Sequence, residues 1–209
     1  MVMEDLLSPT LDITFGAEEH PQSRFAYFNY YYRGTGLTYW PSDDTVAVYS
    51  YPFAYAFGAY LARNYGGARL VEAMMDTDSA GIASITAAFS ALGLAADFDD
   101  AFLKFGEAMI YNSSSTPSYI NTYNRTPADY ALTPSSTTYT YSFTPFDIWS
   151  LANVKGGYGA SIFVSNTNSI SAYGVSLESE DSLVDISGSV TFDIEVPTDA
   201  DVAMSIMIT

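Results

Sequence analysis

The stretch YSYPFAYAFGAYLARNYGGARLVEAMM, residues 49–75, decides how the first half of this chain folds. Within it Phe53, Phe57, Tyr60 and Leu61 recur at the spacing of one helix face. Gly66 and Gly67 then supply a C-terminal stop, because glycine takes the left-handed conformation that ends a helix. The run ARLVEAMM opens a second helix. Downstream, DSAGIASITAAFSALGL sets Ile82, Ile85, Phe89 and Leu92 along one stripe. In DFDDAFLKFGEAMIYN, Asp97 is placed to cap a fourth helix whose buried side is Phe98, Phe102, Phe105 and Met109.

Upstream the signal is weaker. MVMEDLLSP is a short amphipathic run that stops near Ser8 and Pro9, since the residue before a proline disfavours the helical region. Its apolar side is assigned to Met1, Met3, Leu6 and Leu7. No capping residue precedes it, so the sequence is expected to enter in mid-helix. Residues 10–44 are aromatic and irregular, with RGTGLTYWPSDD the clearest loop.

After Asn112 the period changes. A polar, proline-punctuated stretch, residues 113–136, is expected to be a linker or long connection. Alternation then sets in, with Tyr139, Tyr141 and Phe143, then Val190, Phe192, Ile194 and Val196, then Val202, Met204, Ile206 and Ile208. The expected architecture is α+β: an N-terminal helical subdomain over residues 1–112, followed by an antiparallel β-sandwich-like module over residues 137–209.

Composition narrows the function classes. The 209 residues carry a net charge of −17, which disfavours nucleic acid and anionic membranes as partners. No apolar run reaches the roughly 20 residues of a membrane-spanning helix. The absence of cysteine removes thiolate nucleophiles, thiolate metal sites and disulfides. There are 18 tyrosines and 13 phenylalanines, so aromatic side chains dominate both the core and its margins.

Catalytic chemistry finds little footing. The single histidine, His20, lies beside Glu18 and Glu19, and three clustered residues do not easily converge on one tetrahedral metal. DTDSAG, residues 76–81, starts like a calcium loop, but Ala80 and Ala87 stand at the fifth and twelfth positions, where oxygen ligands belong. DFDD, from Asp97 to Asp100, is accounted for by favourable negative charge at a helix N-terminus. No serine sits in a Gly-x-Ser-x-Gly elbow. By its own residues the chain carries no recognisable active site and no metal or cofactor ligands.

FGAYLARNYGGARLVEAMM, GIASITAAFSALGL and FDDAFLKFGEAMIYN, taken together, resemble the downstream half of a peptidase domain. The family is the hyicolysin-like zinc metallopeptidases, within the gluzincin group. The aromatic RFAYFNYYYR stretch and the LTYW loop fit the same pattern, which spans residues 1–112. MVMEDLL resembles the continuation of the gluzincin helix that bears the third zinc ligand in a WLNE segment.

The resemblance implies a helical lobe of the gluzincin C-terminal type. In the parent, zinc-activated water would hydrolyse a peptide bond. It places Tyr51, with Tyr49 as competitor, in the slot of a tyrosine that donates to the tetrahedral oxyanion, the alternative being a loop tyrosine packed on the helix. It makes Glu4 a carboxylate near the metal helix that either supports a metal ligand or has a structural role. The family's HExxH motif is absent, so this chain alone is expected to be inactive. Zinc is expected in the full-length parent, and the partners are a missing N-terminal peptidase lobe and a protein or peptide substrate. The expected location is extracellular, periplasmic or the surface of a bacterial cell. The rival expectation is a non-enzymatic carbohydrate- or surface-binding module that uses Trp40 and Trp149 as exposed platforms.

Overall fold

Helix α4, Ser50–Asn64, is buried on almost every side, and the other helices are arranged around it. A helix apolar all round must lie inside a molecule, and the tight AYAFGAY spacing lets neighbours approach from several directions. The computed structural model describes residues 1–8, 10–13, 21–32, 35–38, 40–109, 127, 130–132, 136–144 and 174. Among these, α1 is Val2–Leu7, α2 is Arg24–Tyr31 after a 3-10 turn at Pro21–Ser23, and α3 is Asp44–Ala47. After α4 come α5 at Ala68–Met75, α6 at Ile82–Ala91 and α7 at Phe98–Ala108. Strands β1, Tyr130–Leu132, and β2, Tyr139–Tyr141, close the described fold. The result is a mixed, helix-rich α+β fold.

The break between α4 and α5 lies at the two glycines. Gly66 and Gly67 take φ of 121° and 63°, in the left-handed region, and the Gly67 amide donates back to the Ala62 carbonyl at 2.8 Å. At α7, Asp97 caps as its side chain suggests: the carboxylate accepts from the Asp100 amide at 2.7 Å. The expected stripes face inward. Ile85, Phe89, Phe98, Phe105 and Met109 are buried, with Ile82, Leu92 and Phe102 packed against them.

Aromatic rings fill the centre. Phe57 meets Phe98, Phe102 and Phe105 edge-to-face at 5.6, 5.3 and 5.3 Å. Phe28 does the same with Phe53 at 5.3 Å. Such pairs each contribute about 0.5–1.5 kcal/mol beyond the area they bury.

Two upstream expectations are corrected. The stretch taken as irregular contains α2, whose Phe25, Phe28 and following Tyr32 are buried; aromatic residues on both sides of this helix obscure its periodicity. On α1 the buried residues are Asp5 and Leu6, while Met3 is 39% exposed. Leu6 and Met1 of the apolar stripe do pack inward, but Met3 turns out and the acid Asp5, which an apolar stripe leaves out, is buried instead.

The described β structure is a two-stranded antiparallel sheet, pairing Tyr130 with Tyr141 and Leu132 with Tyr139. Strand β1 lies within the stretch expected to be a connection. Phe143, just past β2, is buried with Leu6, Ala62 and Ala68, and so belongs to the helical core. Arg69 lies 5.1 Å from the Tyr130 ring centre, and the Tyr130 hydrogen bond to Glu72 is the main cause holding its phenol above the ordinary value. The alternating runs at Val190–Val196 and Val202–Ile208, together with His20 and Trp149, lie outside the described residues.

Candidate functional site

Arg63 is the one cation in α4, and a buried cation requires an anion. Asp5 supplies it: its carboxylate accepts from Arg63 Nη2 at 2.9 Å, with both side chains essentially inaccessible to water. The same carboxylate accepts from the Tyr55 hydroxyl at 3.0 Å and the Gln22 amide at 3.4 Å. Arg63 also donates to the Thr144 carbonyl at 2.8 and 3.0 Å and to the Ala59 carbonyl at 3.1 Å. One ion pair therefore ties α1, α4 and the segment after β2 together. With the carboxylate and the guanidinium each paired several times over, this cluster is suited to holding elements in place. Asp5 is the residue that the apolar pattern of α1 leaves out, although a lone arginine in an apolar helix signals that a buried acid must lie opposite.

Glu4 points the other way. Its side chain is 57% exposed and pairs with Arg24 at 3.1 Å and with the terminal amine at 3.6 Å. Tyr51 sits in the first turn of α4, 49% exposed. Its ring meets Trp40, itself 48% exposed, at 5.0 Å and an interplanar angle of 88°. Beside it, Tyr49 stacks on Tyr31 at 3.9 Å and 26°. The two tyrosines that competed for one role thus differ in setting: Tyr49 is half-buried in a stack, whereas Tyr51 is open to solvent.

An apolar groove of about 350 Å³ runs between α1, α4, α5 and α6. Val2, Met3, Phe57, Leu61, Met74 and Ile85 are among its walls. Met75 stands at its rim, 71% exposed.

No family model, curated protein or solved structure matches this chain. Among the described residues, no three His, Cys, Asp or Glu side chains gather closely enough to hold a metal ion. Asp76, Asp78 and Ser79 bound a turn in which the Thr77 hydroxyl accepts from the Ser79 amide at 3.1 Å, a local bond of the kind that organises turns. Likewise, no described helix is long and apolar enough to cross a membrane.

Proposed function

We propose that this chain is the C-terminal, by itself non-catalytic portion of a secreted bacterial zinc metallopeptidase of the hyicolysin-like type. Its helical part is one wall of the substrate cleft, and the N-terminal peptidase lobe seats on the apolar groove. The observation that carries this reading is the groove itself, because α1 and α4, two of its walls, lie in the stretches that resemble the peptidase. The exposed Met3 and Met75 beside it are where that lobe would make contact. In the parent, zinc held by HExxH and a later Glu would supply the hydrolytic water. In this chain Tyr51 is assigned the oxyanion hydrogen bond. Glu4 is the carboxylate near the metal helix, paired at the surface with Arg24. A trailing β-sandwich module and a gluzincin-type lobe complete the architecture of the proposal.

An antibody raised to this chain tests the reading in source cells. The expected species is well above 22.7 kDa, binds zinc and cleaves peptides. In that species Tyr51→Phe should lower kcat about 100-fold with little change in KM, as for loss of one oxyanion donor. A native species of 22.7 kDa without peptidase activity overturns it.

The exposed Trp40 and Tyr51 rings favour a second reading, an extracellular carbohydrate- or surface-binding module. Saturable quenching of tryptophan fluorescence by neutral glycans is its expected signature.

A further inference from the structure

The geometry points to an oxidative modification site, a carbon–carbon cross-link between the stacked phenols of Tyr31 and Tyr49. Tyr31 is the last residue of α2, and Tyr49 is the residue before α4. Their rings lie face to face, with centres 3.9 Å apart and planes 26° from parallel. Both side chains are half-buried, so the pair is packed in place and still meets solvent. A second described pair provides the contrast. Tyr60 and Tyr65 meet edge to face at 5.9 Å and 68°, and both are buried.

Face-to-face contact is the arrangement that phenol coupling needs. A one-electron oxidant of the peroxidase class takes an electron and the hydroxyl proton from each tyrosine. The two phenoxyl radicals that result carry part of their unpaired electron on Cε, the ring carbon beside the C–O bond. Two such carbons that approach through their ring faces pair those electrons in a new Cε–Cε bond. Each of them then releases its hydrogen as a proton, a proton is taken up at each phenolic oxygen, and both rings are aromatic again. In balance the protein loses two hydrogen atoms, and one hydrogen peroxide is reduced to two waters. The stack supplies the proximity, because radicals already in contact couple at a high effective concentration. An edge-to-face pair directs a ring edge at a face and lacks this overlap.

The consequence is structural. The chain has no cysteine and hence no disulfide, and this bond closes the connection from α2 to α4 as a disulfide would. A link of that kind stabilises mainly by restricting the unfolded chain. The inference goes beyond the peptidase reading and does not depend on it.

Treating the full chain, in dilute solution, with a haem peroxidase and limiting hydrogen peroxide tests it. The expected product is a monomer lighter by two hydrogens that shows bityrosine fluorescence. Digestion should then release one joined pair of peptides, containing Tyr31 and Tyr49. Tyr31→Phe and Tyr49→Phe each keep a ring in the stack while removing a phenol, and each should abolish the monomeric cross-link. The cross-linked wild type should unfold at higher urea than the untreated protein, whereas treatment should leave the midpoint of Tyr49→Phe in place. The proposal fails if the phenylalanine variants, folded by circular dichroism, form the monomeric cross-link as readily as the wild type. It fails equally if the joined peptides carry other tyrosines, or if treatment yields only dimers. None of these failures bears on the native mass or zinc content that decides the peptidase reading.

Discussion

Asp5 and Arg63 show how one pair of side chains can decide the placement of three segments. Breaking a buried ion pair by removing one partner strands the other charge away from water, at a cost of about 3–5 kcal/mol. Asp5→Ala should lower stability by that amount in urea unfolding, and it should also loosen the segment around Thr144, which Arg63 holds at 2.8 Å. Replacing both partners, as in Asp5→Leu with Arg63→Met, should lose clearly less than Asp5→Ala alone, because no charge is left stranded. A single-variant loss below about 1 kcal/mol, the range of exposed pairs, would show that water reaches the site. Glu4, one residue earlier and exposed, is expected to be nearly silent in the same assay.

The packing of α1 on α4 depends on a missing side chain at the element scale. A Cβ built at Gly58 would fall 2.5 Å from Val2 Cγ2. Glycine costs a helix interior about 1 kcal/mol relative to alanine, so Gly58→Ala strengthens α4 while driving it into α1. Val2 is β-branched and stiff, and cannot easily swing away. The net effect should be a loss of about 1–3 kcal/mol, as for overpacked cores. Combining it with Val2→Ala should recover much of that loss, whereas equal stability of the Gly58→Ala variant and the wild type would mean that α1 is not seated as described. Asp97 is a simpler case: its capping bond to Asp100 is local, and its removal should cost about 0.5–2 kcal/mol of α7 stability, read from the unfolding midpoint.

For the whole molecule, the apolar groove and the acidic surface pull in different directions. A net charge of −17 keeps copies apart, while the groove offers a place for them, or for a partner, to dock. A hydrophobic dye should therefore bind this chain. Met3→Glu together with Met75→Glu, at two exposed positions on the groove wall and rim, should reduce that binding several-fold. Exposed substitutions of this kind shift stability by only about 0.5 kcal/mol, so unchanged dye binding in a folded double variant would move the docking surface elsewhere.

The helices α4 to α7 were legible in the sequence because their information is local. Periodicity places Phe53, Phe57, Phe98 and Phe105 inward, the glycine pair ends α4, and Asp97 caps α7. The aromatic stretch before α4 was legible only in part, since tyrosines on both sides of α2 obscure the face that packs. Three things were decided by tertiary structure alone. Asp5 is buried because Arg63, fifty-eight positions away along the chain, needs a counter-ion. Phe143 joins the helical core because Arg63 also holds the Thr144 carbonyl. Trp40 and Tyr51 meet edge to face because the α4 N-terminus comes up against the loop before α3. Each is a pairing between residues of different segments, and periodicity records only which face a residue takes, not which partner it meets there.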